Sequence, residues 1–229
     1  MQPTFDINRA QQATSAEPFF QQYQPHLGPI NLIVMRSGEL MEGNMMYPDR
    51  TTPIAPPDRG FLPRRQNMCM LAMSHNVLVE IGFNAGHSAL LALTANPDLH
   101  YYGIDIGSHS YTRPCFEYLR GVFGDRITLM IGDSVEVMPD AMPDLTQREE
   151  FRAGGTAWCI DGGHNIVPAL ADMTNVLRFA KDGDVLLFDD SEIPQLANLL
   201  DFYVVRGDLV PIKSSPSQEM YRIMKRMPA

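Results

Sequence analysis

Carboxylates recur in this sequence where apolar runs stop. VLVEIG carries Glu80 and opens into Gly82-Phe83-Asn84-Ala85-Gly86-His87-Ser88; YYGIDI brings Asp105, and ITLMIGDS brings Asp133 and Ser134. Gly82 and Gly86 allow a backbone to come close to a ligand, and a helix starting after them presents unpaired amides. The spacing is not G-x-G-x-x-G, which disfavours a pyrophosphate cradle. Asp105 lies 25 residues after Glu80, placed to accept both hydroxyls of a ribose. Asp133 with Ser134 either accepts from an exocyclic amine or caps the next helix. Three successive run ends bearing acids suit an adenosine lying across them.

A second group follows. TAWCIDGGH ends in Asp161 and His164, and VLLFDDS ends in Asp189 and Asp190. Neighbouring strands lie less than about 5 Å apart, so these carboxylates can meet at one rim, where they repel. A hard divalent cation removes the conflict, and an oxygen-only set favours Mg²⁺ over zinc. The other reading has Asp190 capping a helix and Asp161 completing a turn. His164 is placed to take a proton near neutral pH, or else to cap a helix. His87, in a first helical turn, suggests packing beside the ligand rather than catalysis.

The elements that would position these residues begin near residue 63. Five apolar, β-branched runs alternate with amphipathic stretches such as NIVPALADMTNVLRFA, and two short extended segments close the chain. This predicts an α/β fold, a doubly wound and mostly parallel sheet with helices on both faces and ligands beyond the carboxyl ends of the strands. Residues 1–62 read as an arm or lid and 63–229 as the main domain. Eight prolines lie between Pro3 and Pro57. In this region Met45, Met46, Tyr47 and Phe61 are candidates for an apolar acceptor pocket, with Arg64 and Arg65 just beyond for an anionic group.

Composition narrows the partners. In 229 residues, 45% are apolar and 20% charged, which suits a globular chain; 27 acids against 18 Lys and Arg give a net charge of -9. That balance lacks the basic footprint of a nucleic-acid binder. No run matches a bilayer span and no leader is evident at the N-terminus, so the expected setting is cytoplasmic, with no membrane partner. Three cysteines without CxxC spacing suit buried thiols. The 15 Met and 18 Pro suggest an adaptable cover over an apolar ligand.

In order and spacing, EIGFNAGHS, YYGIDI and IGDS resemble the nucleoside-binding motifs of class I S-adenosylmethionine-dependent methyltransferases over residues 63–229. DGGH with DD, in which Asp189 follows Asp161 by 28 residues, resembles the metal-dependent small-molecule O-methyltransferases of the macrocin and aminocoumarin sugar type, within the family 24 methyltransferases. The resemblance implies a seven-stranded, Rossmann-like sheet with its last strand antiparallel. It implies S-adenosyl-L-methionine, with Glu80, Gly82, Asn84, Gly86 and Ser88 along the methionine part, Asp105 on the ribose, Asp133 and Ser134 by the adenine, and Asp161 also against the cofactor. It further implies Mg²⁺ on Asp161, Asp189 and Asp190, with Asp161 and His164 catalytic. The expected reaction is O-methylation of a small-molecule hydroxyl, in a sugar or catechol-like diol, by a homo-oligomer. The alternatives are a metal-independent N- or C-methyltransferase and a non-catalytic cofactor-binding protein.

Overall fold

The computed structural model describes residues 17–42, 44–47, 57–212 and 218–225. Five parallel strands, β1 (Val77–Ile81), β2 (His100–Asp105), β3 (Ile127–Ile131), β4 (Thr156–Ile160) and β5 (Val185–Asp189), are joined by helices. β6 (Leu209–Ile212) and β7 (Gln218–Ile223) complete a sheet of order β3-β2-β1-β4-β5-β7-β6. β7 lies antiparallel between β5 and β6. This is the seven-stranded arrangement expected, and the order reverses beside β1, where β2 and β4 flank it. A crevice at the carboxyl ends of β1 and β4 is the topological consequence.

Two cores cover the sheet. α1 (Glu17–Ser37), α2 (Leu62–Met73), α3 (His87–Ala95) and α4 (Thr112–Phe123) bury one face; α5 (Ser134–Leu145), α6 (Glu149–Ala153), α7 (Ile166–Phe179) and α8 (Pro194–Arg206) bury the other. Alternate strand residues divide between them: Leu78 faces the first core, Val77 and Val79 the second. All five residues of β1, β4 and β5 are buried, as expected of strands covered on both faces.

The N-terminal stretch, read as an arm or lid, supplies a helix to the first core. α1 is 21 residues long and contains Pro25 and Pro29. Its buried residues Phe19, Tyr23, Leu27, Ile30 and Val34 recur every three or four positions, so one stripe fuses with the first core and offsets the bonds that the prolines forfeit. Met46 and Tyr47 are committed to the same core rather than to an acceptor pocket. Arg65 is likewise interior: Nη1 donates to the Met45 carbonyl (3.0 Å) and Nη2 to that of Asp58 (2.8 Å). The Asp58 N–H donates to the Met46 carbonyl (2.7 Å), closing the same clasp. No described helix is long and apolar enough to cross a membrane. All three cysteines are buried and free.

α5 continues through Pro139 and Pro143 to Leu145. Met138, Met142 and Leu145 repeat on one buried face, and their packing outweighs the missing N–H groups.

At the opposite end of the sheet Asp184 ties the start of β4 to the start of β5. Its buried carboxylate accepts from the Thr156 N–H (2.9 Å), Trp158 Nε1 (3.1 Å) and the Lys181 N–H (2.8 Å). Asp184→Ala leaves these donors without a partner and is expected to cost roughly 3 to 5 kcal/mol, read as a lowered urea midpoint.

Candidate functional site

The turn after β1 is built on three residues with positive φ: Gly82 (101°), Asn84 (52°) and Gly86 (79°). A Cβ on Gly82 would lie 1.9 Å from the Asp161 carbonyl oxygen, and one on Gly86 would lie 2.6 Å from Leu119 and Phe83. Both glycines therefore make room for the protein itself, where the sequence suggested room for a ligand. The turn is held to the end of β2, because the Asn84 N–H donates to Asp105 Oδ2 (2.7 Å) while the Gly107 N–H donates to Oδ1 (2.7 Å). Asp105 is thus fixed at both oxygens.

Beyond the strand ends lies a cavity of about 360 Å³. Gly82, Asn84, Asp105, Asp133, Ser134 and Asp161 all line it, so most of the expected nucleoside residues are brought together. Gly86 and Ser88 instead line a smaller adjoining cleft with Asn44 and Met45. Asp133 does cap a helix, its Oδ1 accepting from the Val135 N–H (2.9 Å), and it still faces the cavity. The Ser134 hydroxyl donates to Asp172, a residue of α7 that sequence reasoning passed over. Burial pushes the Asp172 carboxyl up. Its signal was legible: Ala169, Asp172, Met173 and Val176 form a helical stripe in which an acid stands among apolar residues.

Glu80 does not reach the cavity. It is fully buried, and the hydroxyls of Ser88 (2.6 Å) and Tyr101 both donate to its Oε2. Burial raises its pKa to about 7 against the opposing effect of these bonds. His87 is committed to the interior as well, with Nε2 paired to Asn31 Oδ1 (3.0 Å) on α1; burial lowers its pKa to about 4, so the neutral ring donates there.

At the rim, Asp161 and Asp189 share a hydrogen bond. Burial and the Asp189 charge raise Asp161 well above the usual carboxylate range; burial raises Asp189 too, opposed by the Arg64 guanidinium. Arg64 Nη1 lies 3.2 Å from Asp189 Oδ2, and Nη2 lies 3.9 Å from Asp190 Oδ1 and 3.7 Å from Glu192. Asp190, at φ 54°, turns to His164 and pairs with its Nδ1. Among the described residues no three His, Cys, Asp or Glu side chains form a ready cluster for a metal ion. The expected triad is therefore assembled as a pair, Asp161 with Asp189, while Asp190 belongs to the imidazole. A pair remains a workable donor set, since Mg²⁺ is commonly held by one or two carboxylates with waters, and Asp189 Oδ1 is buried with no hydrogen-bond partner.

Comparison with known proteins bears directly on this arrangement. A family model described as a methyltransferase domain matches residues 79–191, which hold the β1 turn, Asp105, Asp133, Asp161 and Asp189. The chain is an S-adenosylmethionine-dependent methyltransferase. No curated protein matches this methyltransferase significantly in sequence. Among solved structures, it is similar to CalS11, a TDP-rhamnose 3'-O-methyltransferase of calicheamicin biosynthesis, at 16% identity and TM-score 0.59, covering 72% of this chain and 80% of that one. It is similar to cofactor-bound Rv0187 from MTB at 16% identity and TM-score 0.60, covering 88% and 91%. S-adenosylhomocysteine-bound PaMTH1 of Podospora anserina aligns at 15% identity and TM-score 0.51, covering 71% and 78%. At these identities the structures establish the shared fold.

The buried acid of the methyltransferase has a measurable consequence. With a native pKa of about 7, Glu80 keeps a proton that the unfolded chain releases near pH 4 to 5. The native state then binds more protons, so stability falls as pH rises through this window. Glu80→Gln removes that dependence: relative to wild type, its unfolding free energy should rise by up to about 3 kcal/mol between pH 5 and pH 8, followed by urea titration.

Proposed function

We propose that this methyltransferase transfers a methyl group to a hydroxyl oxygen of a small-molecule acceptor. The observation that carries the reading is the rim where Asp161, Asp189 and the Asp190–His164 pair adjoin the cavity lined by Asp105 and Asp133. Asp105 would hold the ribose hydroxyls, with Asp133 and Ser134 beside the adenine and the Gly82–Gly86 turn along the methionine part. Asp161 and Asp189 are the residues to hold Mg²⁺. When bound, S-adenosylmethionine supplies an electrophilic methyl group and the cation lowers the pKa of an acceptor hydroxyl.

The protein's own part is alignment and proton removal. Asp190 engages His164 Nδ1, which fixes the ring and leaves Nε2 to take the acceptor proton. His164 is exposed at 59%, open to an incoming acceptor. The turn at Gly162 and Gly163 sets this imidazole on the cavity wall beside Asp161, which supports its role as the base for an acceptor bound there.

One contact favours a second reading. Arg64 already sets a positive charge against Asp189, as a metal-independent enzyme would require. The two readings separate in one experiment. In the Mg²⁺ reading, EDTA abolishes S-adenosylhomocysteine formation, added Mg²⁺ restores it, and Asp189→Asn loses at least about 100-fold in kcat with cofactor affinity kept within a few-fold. Turnover that survives exhaustive EDTA treatment selects the Arg64 reading instead. In either case His164→Ala should lower kcat by about 100-fold or more.

A further inference from the structure

Part of the cavity wall comes from outside the strand-end motifs. Glu42, in the stretch after α1, lines the cavity together with Asp105 and His109. Its backbone is built into the β1 turn: Asn84 Nδ2 donates to the Glu42 carbonyl (2.8 Å), and the Glu42 N–H donates to the Tyr111 hydroxyl (3.3 Å). That hydroxyl donates in turn to Asn84 Oδ1 (2.7 Å), and the Asn84 N–H reaches Asp105 Oδ2. One asparagine thereby fixes Glu42 and Asp105 relative to each other.

The same stretch is pinned to the loop after β2. Glu39 accepts from the Ser110 N–H (2.9 Å) and pairs with His109 Nδ1 (2.8 Å); bonds from Ser110 and His109 lower its pKa to about 2. The His109 ring stacks on Tyr111 with centroids 4.8 Å apart and planes 8° from parallel. This leaves the Glu42 carboxylate on the cavity wall with Oε2 4.0 Å from His109 Nε2.

We propose that Glu42 is a second ribose-binding carboxylate, delivered to the cofactor site by the N-terminal segment. This rests on the S-adenosylmethionine reading of the cavity. A ribose presents two vicinal donors, while each oxygen of Asp105 already accepts a backbone N–H; a second fixed carboxylate gives each hydroxyl its own anionic acceptor. The position along the segment points to the ribose rather than the amino-acid end of the cofactor. Asn44 and Met45, two and three residues on, line the separate cleft beside Gly82–Gly86, where the methionine part belongs. The bonds through Asn84 and Tyr111 hold Glu42 at the Asp105 side.

Calorimetry on the full chain with two probes decides the matter. S-adenosylhomocysteine carries ribose and amino acid, whereas 5′-methylthioadenosine carries the ribose without the ammonium group. Glu42→Gln is expected to weaken both ligands about tenfold, with the thermal midpoint of the free protein unchanged. Wild-type affinity for both in the variant overturns the proposal. A loss confined to S-adenosylhomocysteine also overturns it, because Glu42 would then read the ammonium. If the wild-type protein binds neither probe, the cofactor reading itself fails, and this inference with it.

Discussion

Parallel pairing forces acids together at one edge of this sheet. Glu80 is in register with Cys159, two residues before Asp161, and Cys159 is in register with Leu187, two before Asp189. All three acids therefore point to the face covered by α2, among apolar neighbours. Two bare carboxylates about 5 Å apart repel by roughly 3 kcal/mol even at an effective dielectric of 20. The protein meets this cost with an Asp161 carboxyl raised well above the usual range, hydroxyl donors on Glu80, and Arg64 against Asp189. Since Arg64 rides on α2, the docking of that helix and the electrostatics of the rim are one problem. Asn67, on the same helix, reaches Gln218 of the antiparallel β7 (3.3 Å), extending the polar layer to the far side of β5.

That demand also fixes how the two groups of acids differ. Asp105 and Asp133 each accept from backbone N–H groups and lie on the cavity wall, suited to neutral hydroxyl or amine donors. Asp161 and Asp189 are held where ionisation is opposed, so a positively charged partner gains most there. The two groups of acids thus occupy adjacent stretches of one crevice with opposite electrostatic settings.

Much of this was legible in the sequence, because strands buried on both faces leave continuous apolar runs, and the runs of β2, β4 and β5 stop at the acids that line the crevice. What escaped did so for identifiable reasons. α1 was hidden by Pro25 and Pro29, although the spacing from Phe19 to Val34 carried the helical period. The roles of Gly82 and Gly86 depend on backbone and side chains brought near by the fold, which no local pattern encodes. The division of labour between Asp189 and Asp190 turns on a single positive φ at the second aspartate, which swings it toward His164. Met46, Met68 and Met70 proved to be core residues, so the methionine excess reflects packing under α1 and α2 more than an adaptable cover.

The clasp at Arg65 has an implication for how such a chain changes over time. Met45, Met46 and Asp58 are bound to each other and to Arg65 irrespective of what joins them. Closing a longer loop costs only a few tenths of a kcal/mol for modest additions, because the entropy grows with the logarithm of length. The contacts at Met45, Met46 and Asp58 therefore hold whatever the length of the span that joins them.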